Sequence, residues 1–80
     1  MQPITLDEYM KQYNVYAHEI LVLDKNAPAT NDIKKMATIL SSDTTLDAAE
    51  LIKLTLEYMK NQNESFEVAI RAVRDTYRKE

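Results

Sequence analysis

Residues 46–60 read LDAAELIKLTLEYMK, and as a helix they are apolar around more of their circumference than any other segment of the chain. At about 100° per residue, the apolar side chains and Thr55 fill one wide arc, in which we expect Ile52 and Leu56 to be buried. Only a narrow charged strip of this helix is left to face water. It comprises Asp47, Glu50, Lys53, Glu57 and Lys60. Such a helix must be covered by other segments, by a second copy of the chain or by a partner protein.

The first helix has a clear predicted start at Thr5. Thr5 and Glu8 have the spacing of a capping box, and Ile4 and Tyr9 occupy the two positions of a hydrophobic staple. An apolar stripe with the helical period follows, which predicts one long helix. The stripe comprises Leu6, Tyr9, Met10, Tyr13, Tyr16, Ala17, Ile20, Leu21 and Leu23.

Helix ends must be formed without glycine, which is absent from the chain. After glycine, asparagine is the residue type that best tolerates the left-handed conformation found at the end of many helices. We expect Asn26 to adopt it after the first helix, where Pro28 also restricts Ala27. We expect residues 61–63, Asn-Gln-Asn, to end the central helix in the same way.

The remaining helices are preceded by residues that can cap them. Thr30 or Asn31 can cap the second helix, and Thr44 with Asp47 forms a weaker capping pair for the central helix. The last helix should begin near residue 64. Its predicted buried face consists of Phe66, Ala69, Ile70, Val73 and Tyr77.

These signals predict an all-α fold in a single domain spanning residues 1–80. Short connections between amphipathic helices are typical of a compact four-helix bundle or an orthogonal helical array, and periodicity does not choose between the two. The predicted helices span approximately residues 5–24, 31–41, 45–60 and 64–78.

Composition narrows the classes of function. With 13 acidic and 10 basic residues the net charge is −3, which argues against a dedicated nucleic-acid binder. The chain has no cysteine, which excludes disulfide and thiolate chemistry. Its longest apolar run, residues 20–23, is far too short for a membrane span or a signal peptide. We therefore expect a cytoplasmic protein without membrane association.

No pattern of residues predicts catalysis, and we expect the protein not to be an enzyme. His18 is the only histidine, and no acidic residue or second histidine stands one helical turn from it. Asp24 opens a stretch that resembles the start of a calcium loop. Ala29 and Lys35, however, stand where an EF-hand requires glycine and glutamate. The sequence therefore predicts no catalytic residue, no metal ligand and no cofactor.

Candidate partner-binding residues lie on the first helix. Tyr9 and Tyr16 fall towards one edge of the apolar stripe, where they could anchor a protein partner, form the rim of the core or stack on a ligand. Val15 and Val22 lie one heptad apart on the polar back of the same helix. Single surface valines are ordinary, but two in register indicate a contact face.

Basic residues supply two further candidates. Arg71, Arg74 and Arg78 could dock an acidic partner, although favourable interaction with the helix dipole and salt-bridged solubility explain the same pattern. A small anionic ligand could bind near the start of the second helix, where Asp32 works against it. The candidate residues for that ligand are Lys25, Thr30, Lys34 and Lys35.

The leading functional prediction is a non-enzymatic protein-interaction module: an adaptor, inhibitor or regulator that acts by binding and forms homo-oligomers. Its basis is surplus apolar surface without catalytic chemistry. One alternative is a helix-turn-helix DNA-binding regulator, against which Asp47 and Glu50 would face phosphates. A second is an oligomeric sponge for a small anionic ligand or a nucleotide. Small size alone suggests a phage or mobile-element origin.

Overall fold

The computed structural model describes residues 5–79, except for the side chains of Leu6 and Tyr9. Most of these residues lie in helices that pack against one another, and no strand forms within the described range. The predicted all-α helical array is therefore confirmed. Its helices are α1 (Leu6–Leu23), α2 (Thr30–Ser41), α3 (Ala48–Gln62) and α4 (Phe66–Thr76).

The central helix of the array is α3, which packs against each of the other three helices. Ile52 and Leu56 are buried as predicted, and Leu51 is fully buried with them. Leu54 and Tyr58 are half-buried against the same core. One copy of the chain thus covers most of the apolar surface of α3. The cover comes from Tyr13, Ala17, Ile20, Ile33, Ala37, Phe66, Ala69, Ile70 and Val73.

The start of α1 has the predicted cap. The Oγ1 atom of Thr5 accepts a hydrogen bond from the backbone N–H of Glu8 at 3.2 Å. This bond satisfies one of the amides that have no partner within the first turn of a helix. The predicted staple between Ile4 and Tyr9 lies outside the described residues and side chains.

The connection after α1 differs from the prediction for Asn26. Within residues 5–79 only Asn63 has a positive φ, at 53°, so Asn26 is not left-handed. Asp24 forms the turn instead, because its Oδ1 accepts the N–H of Asn26 at 3.0 Å and its carbonyl accepts the N–H of Ala27 at 3.0 Å. An aspartate turn of this kind needs no left-handed residue. The prediction of an asparagine at the end of α3 is confirmed by Asn63.

The start of α2 also differs from the prediction. Ala29 precedes the helix with extended backbone, φ −57° and ψ 157°, and Thr30 is already helical. Neither Thr30 nor Asn31 is therefore the cap, because a capping residue must itself lie outside the helix. The Ala29 carbonyl accepts the N–H groups of Asp32 and Ile33 at 2.8 and 2.9 Å, and no side chain caps this helix.

At the start of α3, Asp47 caps the helix without the help of Thr44. Its Oδ1 accepts the N–H of Glu50 at 2.8 Å. Thr44 is buried in the preceding turn, where its hydroxyl accepts the N–H of Leu46 at 3.1 Å and donates to the Ser41 carbonyl at 2.9 Å. The predicted pairing of Thr44 with Asp47 is wrong because the threonine hydroxyl is used within its own turn.

At the start of α4, two backbone N–H groups donate hydrogen bonds to side chains from different parts of the chain. Ser65 caps the helix locally, with its Oγ accepting the N–H of Val68 at 3.5 Å. The Oδ2 atom of Asp24 accepts the N–H of Phe66, the first helical residue, at 2.9 Å. Through Asp24 the end of α1 is therefore joined directly to the start of α4.

The end of α4 comes two residues earlier than predicted. After Thr76 the chain leaves the helix and pairs in antiparallel fashion with the connection between α2 and α3. Thr45 donates its N–H to the Tyr77 carbonyl at 3.1 Å, and Lys79 donates to the Asp43 carbonyl at 2.8 Å. Tyr77 is exposed. Its predicted burial is wrong because it lies beyond the helix on whose face it was placed.

Candidate partner-binding surface

The longest helix, α1, buries one side and exposes a pair of valines on the other. Tyr13, Ala17 and Ile20 are fully buried in the core. On the opposite side, Val15 and Val22 are 54% and 65% exposed. Because the valines lie one heptad apart, both point in nearly the same direction from the helix axis.

A second apolar pair runs beside the valines. Tyr16 is half-buried, and Leu23, one heptad later, is exposed. Periodicity placed Leu23 in the buried stripe, but it lies at the edge of that stripe and is the last residue of α1. We call the surface formed by the two pairs and the polar residues between them the α1 outer face. It consists of Gln12, Val15, Tyr16, Glu19, Val22 and Leu23.

A shallow depression of about 220 Å³ lies at the N-terminal half of the α1 outer face, lined by Lys11, Gln12, Val15 and Tyr16. Ligand pockets usually enclose roughly 300 to 1,000 Å³, so this depression suits one side chain of a partner better than a whole small molecule. Tyr16 packs against the core and also lines the depression. The side chain of Tyr9, the other predicted anchor, lies outside the described part of the chain.

Polar and charged groups surround the apolar pairs. The Oε2 atom of Glu19 lies 3.9 Å from the Nζ atom of Lys60 on α3, and both side chains are about half exposed. His18 and Lys11 are exposed on the valine side of the face. A long, exposed ion pair contributes little to stability, so Glu19 is available to a second contact.

The predicted basic strip on α4 is largely occupied by contacts within its own helix. The Nη2 atom of Arg71 lies 3.3 Å from Oε1 of Glu67. Arg74 donates from Nε and Nη2 to Oδ1 of Asp75 at 3.2 and 3.1 Å. Arg78 lies beyond the helix, in the segment that pairs with the α2–α3 connection. These contacts favour the solubility interpretation over an acidic docking strip.

The residues predicted for an anionic ligand are divided between a loop and two sides of α2. Thr30 and Lys34 lie one turn apart on the same side, and both are half-buried. Lys35 is exposed and points about 100° away around the helix. Lys25 is exposed in the α1–α2 connection. Asp32 in the first turn opposes an anion at this helix start.

Two exposed apolar residues lie on other helices and were not predicted. Ile39 on α2 and Val68 on α4 are 66% and 48% exposed. Helical phase could have identified Ile39, because it projects opposite the buried Ile33 and Ala37. Neither Ile39 nor Val68 has an apolar neighbour one heptad away on its own helix, so each is a single surface residue.

Among the described residues, no group of three or more histidine, cysteine, aspartate or glutamate side chains could hold a metal ion. His18 is exposed on the surface of α1. In the same part of the chain, every helix is too short or too polar to cross a membrane.

Fold and surface together define a small all-α protein with apolar pairs on the outer side of its longest helix. Comparison of the chain with protein-family models, with curated proteins and with solved structures gave no significant match. Function is therefore inferred from the residues of this chain alone.

Proposed function

We propose that this protein is a non-enzymatic interaction module that binds a partner protein through the α1 outer face. The observation that carries the proposal is the exposure of Val15 and Val22 in register on a helix whose other side is fully buried. Burial of apolar surface stabilises a complex by roughly 25 cal/mol per Å². Two valines on one line can contribute together to the same contact.

Tyr16 supports the same surface as a binding site. Packing against the core restricts its ring before any partner arrives, so binding costs little side-chain entropy. The ring also borders the depression, into which a partner could insert one apolar side chain. Tyrosines are enriched among residues that dominate binding energy, and truncating such an anchor costs about 2 kcal/mol or more.

The spacing of the apolar pairs favours a helical partner. Val15 and Val22 repeat by one heptad, and so do Tyr16 and Leu23. An amphipathic helix carries its own apolar residues with the same repeat, so it can pack along the line of the two valines. Tyr16 and Leu23, about 100° around α1, then lie at the edge of that contact. The proposed partner is therefore an amphipathic helix with apolar residues one heptad apart.

The alternative functions have less support. In a helix-turn-helix, α3 would enter a DNA groove, but its start carries exposed Asp47 and Glu50 and its sides are covered by the other helices. An anionic ligand would need Lys25, Lys34 and Lys35 to converge, and these residues lie on a loop and on two sides of α2.

A double variant, Val15→Lys/Val22→Lys, tests the binding surface. The natural chain and the variant are each immobilised to capture proteins from a cell lysate, and captured proteins are identified by mass spectrometry and titrated individually. We expect the variant to lose at least about tenfold in affinity, because binding would bury two lysine ammonium groups without partners.

The matched control is Ile39→Lys/Val68→Lys, which adds the same charge at positions that are 66% and 48% exposed. This control should bind like the natural chain. Circular dichroism must show the same helical content for all three proteins. Equal affinity of the Val15/Val22 variant and the natural chain would rule out the α1 outer face, and equal losses in both variants would indicate a non-specific effect of charge.

A further inference from the structure

The segment that follows α4 lies against the connection between α2 and α3. We call this segment, residues 77–79, the strap. Thr45 donates its N–H to the Tyr77 carbonyl at 3.1 Å, and Lys79 donates its N–H to the Asp43 carbonyl at 2.8 Å. Both bonds belong to one antiparallel bridge. Backbone hydrogen bonds thus hold the strap in place.

Helix α4 ends without help from the strap. The N–H of Tyr77 donates to the Val73 carbonyl at 3.1 Å and closes the final turn of the helix. The Oγ1 atom of Thr76 donates to the Ala72 carbonyl at 2.9 Å. Only the carbonyl side of Tyr77 bonds to the connection. Rotation of the backbone from that carbonyl onwards can therefore release the strap without unwinding α4.

The connection between α2 and α3 also has its own hydrogen bonds. The N–H of Asp43 donates to the Leu40 carbonyl at 3.1 Å, and the N–H of Thr44 donates to the Ser41 carbonyl at 3.0 Å. The hydroxyl of Thr44, which is buried, accepts the N–H of Leu46 at 3.1 Å. These bonds join neighbouring residues, so the connection keeps its shape when the strap leaves.

Release of the strap exposes little apolar surface. Arg78 and Lys79 are exposed, Tyr77 is 39% exposed, and none of the three belongs to the buried core. A hydrogen bond between exposed backbone groups contributes little net free energy, because water replaces the lost partner after opening. Segments held in this way open locally at a free energy well below that of global unfolding.

From these contacts we infer that the strap detaches as a unit while the helices stay folded, and that its release uncovers a backbone edge at residues 43–45. In the open state, the Thr45 N–H and the Asp43 carbonyl bond to water instead of the strap. The strap contains no residue of the α1 outer face, so its release is independent of the proposed function.

Amide hydrogen exchange of the ¹⁵N-labelled chain, followed by NMR, tests the strap. We expect the protection factors of the Thr45 and Lys79 amides to agree within about threefold, because one opening frees both. Both should lie at least about a hundredfold below that of Leu56, which is buried on α3. Protection of Thr45 or Lys79 equal to that of Leu56 would overturn the inference, since the strap would then open only when the whole chain unfolds.

A matched pair of variants tests whether the two bonds open together. Lys79→Pro removes the N–H that donates to Asp43, whereas Lys79→Ala keeps it. We expect Thr45 to exchange about fivefold faster in Lys79→Pro, because one bond of the unit is lost. In Lys79→Ala its rate should stay within about twofold of the natural rate, as for most surface substitutions. Thr44 and Leu56 should exchange at their natural rates in both variants.

The other outcomes of this comparison contradict the strap. An unchanged Thr45 rate in Lys79→Pro would show that the two bonds open separately. An equal increase in Lys79→Ala would show that the lysine charge, not the backbone pairing, holds the segment. Faster exchange of Thr44 or Leu56 in Lys79→Pro would show that the turn or the core depends on the strap. Any of these three results would overturn the inference.

Discussion

Asp24 connects two helix ends through the two oxygens of its carboxylate. Oδ1 accepts the N–H of Asn26 in the turn after α1, and Oδ2 accepts the N–H of Phe66 at 2.9 Å. Phe66 is fully buried and begins α4, where the helix dipole also favours a negative charge. This side chain thereby holds the end of the helix that carries the α1 outer face.

Removing that carboxylate should destabilise the protein. We expect Asp24→Ala to lower the free energy of unfolding by about 1 to 3 kcal/mol, because the Phe66 amide loses its acceptor. Asp24→Asn should cost less, since an amide oxygen can replace one carboxylate oxygen. Urea denaturation of both variants measures the difference. The control is Asp43→Ala, at an exposed position, which should change stability by less than about 0.5 kcal/mol.

The hydrogen bonds of Thr5 and Asp24 show which contacts a sequence reveals at the residue scale. Thr5 caps Glu8 three residues later, so a local pattern contains both partners. Asp24 and Phe66 are brought together only because α1 and α4 both pack against α3. The same carboxylate also forms the local turn that made a left-handed Asn26 unnecessary. No pattern within a single segment could have predicted its second role.

At the element scale, the end of α3 depends on the conformation of one residue. Asn63 has φ 53° and ψ 45°, the left-handed conformation that turns the chain from α3 towards α4. Residues with a Cβ atom are disfavoured there by roughly 1 to 2 kcal/mol, and asparagine tolerates it better than most.

A pair of alanine substitutions tests this role with opposite expected signs. Asn63→Ala should destabilise the protein by about 1 kcal/mol, because alanine lacks the local hydrogen bonding that helps asparagine in this conformation. Asn61→Ala, two residues earlier and inside α3, should stabilise by a few tenths of a kcal/mol through higher helix propensity. Thermal unfolding measures both. Destabilisation of the same size at both positions would show that side-chain contacts, not backbone conformation, determine the result.

Helical phase predicts burial well inside an element and poorly beyond its end. Ile52 and Leu56 are buried, and Val15 and Val22 are exposed, because each lies within a regular helix. Tyr77 was assigned by the same phase but lies after the end of α4. The backbone pairing that redirects the chain there involves no characteristic side chain, and periodicity therefore could not reveal it.

At the scale of the whole molecule, the apolar surface of α3 is covered within one chain and therefore does not require self-association. Its wide apolar arc could have been covered by a second copy, but α1, α2 and α4 of one chain cover it. Leu51 and Ile52 are fully buried, and Leu54 is half-buried. Among the exposed apolar residues, Val15 and Val22 repeat by one heptad on the α1 outer face, and neither belongs to the buried core.

A single copy of the chain should therefore fold without a partner. We expect the midpoint of thermal unfolding to stay constant over about a hundredfold dilution in the micromolar range, because a fold that needed a second copy would lose stability as protein concentration falls. Val15→Lys/Val22→Lys should keep that midpoint, since both positions are exposed. Leu56→Ala should lower stability by about 2 to 5 kcal/mol at every concentration, because it leaves a cavity in the core. A midpoint that fell on dilution would show that the core is completed only by association.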